Sequence, residues 1–117
     1  MKRYSRVDRV SKLLKIEISK IIREDVKDPR VDGIVITEVL VTKDLRQGKV
    51  FFSLYGTKEQ KEEALEGLKG ATYIVQEELG KHLRMRYTPR LTFYIDDALE
   101  RGFEIIEKMK KLKGNEE

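Results

Sequence analysis

Cationic side chains crowd into two stretches of this 117-residue chain. Residues 1–23 carry Lys2, Arg3, Arg6, Arg9, Lys12, Lys15, Lys20 and Arg23 against only Asp8 and Glu17, a local balance of +6. Residues 80–90 add Lys81, Arg84, Arg86 and Arg90 with no acid, so in a chain of net charge +4 everything else is net acidic. Such segregation gives one side of a small protein a positive field that attracts a polyanion and otherwise costs self-repulsion. The chemistry on offer is therefore phosphate binding by ammonium and guanidinium groups. A second feature is Gly67-Leu68-Lys69-Gly70, two glycines three apart. In a turn their exposed amides would cradle a phosphate, and in a helix they would mark a bend.

Other chemistry lacks its residues. The chain has no cysteine and one histidine, His82, which leaves no disulfide framework and no all-protein zinc or haem set. The pairs Asp96/Asp97 and Glu77/Glu78 are the nearest approach to a magnesium site for nuclease chemistry. Helical neighbours diverge by about 100°, however, and Asp97 with Glu100 has capping-box spacing. The expectation is no catalysis, no metal, no cofactor and no small-molecule substrate. No apolar run approaches the length of a membrane span, and the start MKRYSRVDRV carries charge where a secretory signal needs an apolar stretch, so a cytoplasmic, membrane-free monomer is expected.

These cations need elements to hold them. Val7, Val10, Leu14, Ile18, Ile21 and Ile22 recur at helical spacing, which predicts a first helix from Ser5 or Val7 to Asp25. Opposite that stripe, Arg9, Lys12, Ile16, Lys20 and Arg23 share the solvent side. KDPR ends the helix, because the residue before a proline is pushed out of the helical region. GIVITEVLVT alternates Ile34, Ile36 and Leu40 with Val35, Val39 and Val41, and KVFFSLYG sets Val50, Phe52 and Leu54 against Phe51, Ser53 and Tyr55. Both read as strands, and the short linker KDLRQG makes them an antiparallel hairpin. In the next segment Leu65, Leu68, Thr72, Val75, Leu79 and Leu83 form one stripe that keeps phase across Gly67 and Gly70. That continuity favours a bent helix, or two closely stacked segments, over a loop. RLTFYI reads as a third strand, and Leu99, Phe103, Ile106 and Met109 as the stripe of a last helix. The whole is a single α+β domain over residues 1–113, with 114–117 as a fraying tail.

The pieces RVDRVSKLLKIEISKII, KDPRV, VTKDLRQGKVFFSLYG and LGKHLRMRYTPRLTFYIDD resemble the ribosome-binding factor A family, bacterial assembly factors of the small ribosomal subunit, and the resemblance runs from about Arg3 to Phe103. It implies a KH-like type II fold, with the order α-β-β-α(kink)α-β plus a C-terminal helix and a three-stranded sheet covered by helices on one face. It also implies binding to the free small subunit and its RNA, support for 5′-end processing of that RNA, and a particular need in the cold. Family members lack a GXXG phosphate loop and join two helices at an Ala-x-Gly kink. Here that motif falls on Ala71, Thr72 and Tyr73, so the alanine matches and the glycine does not, and Gly70 can supply the missing backbone freedom.

Candidate RNA contacts are Arg3, Arg6, Arg9, Lys12, Lys20 and Arg23 on the first helix and Lys81, Arg84, Arg86 and Arg90 before the third strand. Lys43 and Arg46 in the hairpin loop come next, with Arg30, for which an ion pair with Asp28 or Asp32 is the competing role. Tyr87 and Tyr94 are candidates for stacking on an unpaired base or for packing on the sheet rim. Two further readings stay open: an adaptor whose basic faces dock an acidic protein, and a general KH-type RNA binder that uses Gly67 to Gly70 as its phosphate loop.

Overall fold

The computed structural model of the chain describes residues 5–97. Ser5 caps the first helix, α1 (Arg6–Asp25): its hydroxyl accepts the Asp8 N–H at 3.2 Å while the Asp8 carboxylate accepts the Ser5 N–H at 3.1 Å. This closes a capping box on two otherwise orphaned donors. The chain leaves the helix at Val26 in an extended conformation and makes one tight 3-10 turn, Pro29–Val31, capped by Asp28.

Strands β1 (Val35–Val41) and β2 (Gln47–Ser53) form the expected antiparallel hairpin. Helix α2 (Lys58–His82), capped by Thr57 and Gln60, then carries the chain to β3 (Arg90–Ile95). β3 lies parallel to β2 in a sheet of order β1-β2-β3, and a parallel pair requires such a crossover. α1 packs on β1 and α2 on β3, so both helices cover one face of the sheet. Leu14 and Ile18 of α1, Val50 and Phe52 of β2, and Leu68 and Val75 of α2 are fully shielded between the layers.

Two sequence expectations change, and one of the alternatives left open falls. The alternation expected in β1 is broken by a bulge between Ile36 and Glu38. Ile36 and Val39 are both buried while Val35 and Leu40 face outward, because one extra residue, Thr37, reverses the phase. Thr37 donates its hydroxyl to Asp96 and so ties the bulge to the end of β3.

The buried stripe of α2 runs through Ala64, Gly67, Leu68, Ala71, Val75 and Leu79, and Leu65, Thr72 and Leu83 are only half-buried at its margin. Small residues hold the centre of that stripe because the Pro29–Val31 turn presses on it: a Cβ on Gly67 would sit 2.9 Å from Val31 Cγ1 and 3.0 Å from Asp28 Oδ2.

The Gly67–Gly70 segment is also not a loop. It lies within a single helix, both residues keep negative φ, and its amides serve the helix ladder, so they are not presented to a phosphate. The expected last helix and the 114–117 tail lie outside the described residues.

Candidate nucleic-acid interface

On α1 the side chains of Arg6, Arg9, Lys12, Lys20 and Arg23 are all exposed, opposite the buried stripe as the helical spacing requires, with Lys12 and Arg23 bordering depressions beside β1. Ile16, 65% exposed, and Leu13 interrupt them with apolar surface. Among the described residues no carboxylate lies within ion-pair distance of Arg9, Lys20 or Arg23, so their charge is available to a ligand. Arg3 lies outside the described residues.

A second group gathers where the hairpin turn meets the chain entering β3. The turn is built around Asp44, whose carboxylate accepts the Thr42 hydroxyl at 2.6 Å and the Arg46 N–H at 3.1 Å. Those hydrogen bonds, with the Thr42 hydroxyl first, hold its pKa below the ordinary carboxylate value. Leu45 completes the turn at φ 61°. The Arg46 carbonyl accepts the Arg90 N–H at 2.7 Å, which fixes Arg46 beside the start of β3. The guanidinium carbons of Arg46 and Arg86 lie 5.3 Å and 5.5 Å from the centre of the Tyr87 ring, within cation–π range. Arg46, Gln47, Tyr87, Thr88 and Arg90 line an open depression of about 440 Å³. Lys43 and Arg84 are exposed nearby in sequence.

Two candidates have other employment. Arg30 is clamped to Asp28 by side-chain hydrogen bonds, the shortest 2.8 Å. This pairing holds the Asp28 carboxyl low and raises the guanidinium. Arg30 also borders a depression lined by Glu59, Glu62, Glu63 and Glu66, an acidic neighbourhood that no polyanion would favour. Lys81 pairs with Glu78 at 3.2 Å, and Glu78 also lies 3.7 Å from His82. Of the carboxylate pairs weighed for metal chemistry, Asp96 is engaged by Thr37 and Glu78 by Lys81. Among the described residues no three metal-capable groups cluster.

Sequence reasoning missed Lys49. Its ammonium sits 6.0 Å over the Tyr94 ring, and Tyr94 stacks on Phe51 with centroids 5.5 Å apart and planes 26° apart. The signal was present: Lys49 and Phe51 alternate onto one face of β2, and Thr92 and Tyr94 onto the same face of β3.

A family model described as ribosome-binding factor A matches residues 6–109. The chain belongs to the ribosome-binding factor A family. It is 47% identical to the ribosome-binding factor A of Caldanaerobacter subterraneus subsp. tengcongensis over 112 residues, 95% of this chain and 92% of that protein. The crystal structure of ribosome-binding factor A from Thermus thermophilus superposes with a TM-score of 0.68 at 26% identity, covering 79% of this chain and 97% of the other. A Thermus thermophilus ribosome binding factor A model fitted into a cryo-electron-microscopy map of a 30S complex gives a TM-score of 0.63 at 28% identity, covering 74% and 91%. The expected KH-like α+β fold, three strands with the helices on one face, is thus the fold of the ribosome-binding factor A family, here without a GXXG loop.

Proposed function

We propose that this protein is a non-enzymatic ribosome assembly factor that binds the free small ribosomal subunit through its RNA and supports late maturation, including processing of the 5′ end of the small-subunit RNA. The observation that carries the reading is the family match over nearly the whole chain, joined to the likeness to a relative fitted into a 30S complex. The surface is suited to the task. Arg6, Arg9, Lys12, Lys20 and Arg23 on α1, with Arg46, Arg84, Arg86 and Arg90 at the hairpin end, offer exposed cations to phosphates. Contacts of this kind set affinity and orientation and carry little sequence information. Lys43 is a lesser contributor, and Arg30 and Lys81 serve mainly their carboxylate partners. No helix among the described residues is long and apolar enough to cross a membrane, and the protein is read as acting in the cytoplasm.

Sedimentation of cell extract tests this directly. The protein should travel with free small subunits and be absent from complete ribosomes. Cells lacking it should accumulate small-subunit RNA with an unprocessed 5′ end, most severely in the cold. Co-sedimentation with complete ribosomes alone, or normal RNA ends in its absence, defeats the proposal.

A further inference from the structure

Among the described residues the helices leave one face of the sheet open, and it carries a row of side chains that the α1 surface does not explain. By register, Glu38, Phe51 and Tyr94 form one cross-strand row, Leu40, Lys49 and Thr92 the next, and Gln47 and Arg90 the last, beside Arg46 and Tyr87. An aromatic pair therefore lies at one end, a lysine in the middle and, at the other, two guanidiniums over one tyrosine with Arg90 lining the same depression. From Arg90 to Tyr94 the strand spans about 13 Å, far less than the ~34 Å of a duplex turn. Tyr94 is 39% exposed and Tyr87 52% exposed, so both rings reach the surface.

We propose that this open face binds a short single-stranded segment of RNA, separately from α1: phosphates are held by Arg46, Arg86 and Arg90, and an unpaired base stacks on Tyr94. The inference rests on the RNA-binding reading above and adds a second site of different specificity. Charge complementarity selects the occupant. Lys49, Arg46, Arg86 and Arg90 face Glu38 as the one acid in the register rows, while Asp44 at the turn is consumed by its hydrogen bonds. The aromatic pair selects strandedness, since bases inside a duplex hide their faces and only splayed bases can stack on a side chain. Tyr87 acts as a positioning residue, its ring holding two guanidiniums that would otherwise repel each other and sample many rotamers.

The test uses the full chain and two fluorescent probes of equal phosphate number, an unstructured oligouridine and an RNA hairpin. Tyr94→Leu is expected to weaken oligouridine binding about tenfold, within the range for loss of one base stack, with the hairpin affinity and the salt dependence unchanged. Tyr94→Phe should retain the affinity. Arg46→Gln with Arg90→Gln should flatten the salt dependence of oligouridine binding by about 1.4 in the log–log slope, from two lost phosphates. Tyr87→Leu should weaken oligouridine binding while Tyr87→Phe spares it. Arg9→Glu with Lys20→Glu should do the reverse, weakening the hairpin more than the oligouridine. Oligouridine binding that ignores Tyr94 and follows α1 overturns this site while leaving the RNA-binding reading intact. So does a Tyr94→Leu variant that melts earlier yet binds normally, because the face would then serve packing within the protein. Binding of neither probe would sink both readings together.

Discussion

Gly67 and Gly70 are the same residue type three positions apart on one helix, and the structure gives them opposite meanings. Gly67 is buried where the Pro29–Val31 turn presses against α2, and an added methyl would meet Val31 at 2.9 Å. Gly70 has nothing within 4 Å of the same position. Alanine in a helix interior is favoured over glycine by roughly 1 kcal/mol, while overpacking a core typically costs ~1–3 kcal/mol. Gly70→Ala should therefore raise the urea midpoint by the equivalent of about 1 kcal/mol, and Gly67→Ala should lower it. Equal effects would mean that the close approach at Gly67 relaxes freely. Arg30 carries a pH signature. Its side-chain hydrogen bonds hold the Asp28 carboxyl below its ordinary value of 3.8. A lowered carboxylate stabilises the fold fully above the ordinary value, and the contribution drains as pH falls through the lowered one. Arg30→Gln should therefore lower stability at neutral pH and flatten its decline below about pH 4, the two proteins converging in strong acid. Parallel curves in urea titrations across that window would show that the pair contributes nothing.

At the scale of elements, β3 has one neighbour in the sheet among the described residues and would leave donors exposed along its other side. Gln76 of α2 meets this need: its side-chain oxygen accepts the Leu91 N–H at 2.9 Å. Leu91 is itself buried, so the donor would lose water as well as its partner if Gln76 were truncated. Gln76→Ala is expected to cost about 1–3 kcal/mol and to speed hydrogen exchange of the Leu91 amide. Gln76→Glu keeps an acceptor and should lose less. An unchanged exchange rate in the alanine variant would mean that water replaces the side chain. None of this was legible beforehand, because a long-range bond from a glutamine to a backbone amide leaves no periodic trace. The 3.6-residue stripes of α1 and the alternation in β2 and β3 were legible, since burial on one side imposes a period on the residues themselves. The reversal in β1 was hidden because Thr37 can sit on either face, and only pairing with β2 forces a bulge. The core of α2 was read slightly off centre for a related reason. Ala64, Gly67 and Ala71 carry little hydrophobic signal, yet they are what lets a neighbouring segment approach. At the interface, the cations of α1 were visible as a face, whereas the meeting of Arg46 with Tyr87 and Arg90 depends on strand order.

Across the whole molecule the charges sort by place. The outer side of α1 and the hairpin end of the sheet are cationic, and the first half of α2 presents Glu59, Glu62, Glu63 and Glu66 around the paired Arg30. A polyanion approaching this protein therefore meets attraction over α1 and repulsion at the start of α2, which orients the encounter before any contact forms. The two regions should answer differently to salt. Each phosphate neutralised by a bound cation releases condensed counterions, and the log–log slope of affinity against salt changes by roughly 0.7–0.9 per contact. Arg9→Glu with Lys20→Glu removes two such contacts, so affinity for an RNA hairpin should fall and the slope should flatten by roughly 1.4–1.8. Both side chains are exposed and lack carboxylate partners among the described residues, so the melting temperature should hardly move. Neutralising Glu59, Glu62 and Glu63 to Gln removes repulsion without adding a contact. It should raise affinity modestly at low salt, lose that gain once the screening length shrinks to about 8 Å near physiological ionic strength, and leave the orientation of the bound protein less defined. Fluorescence titrations over a salt series check both arms. If the acidic variants shift the affinity as much as the α1 variants do, binding responds to net charge alone and the sorted surface has no orienting role.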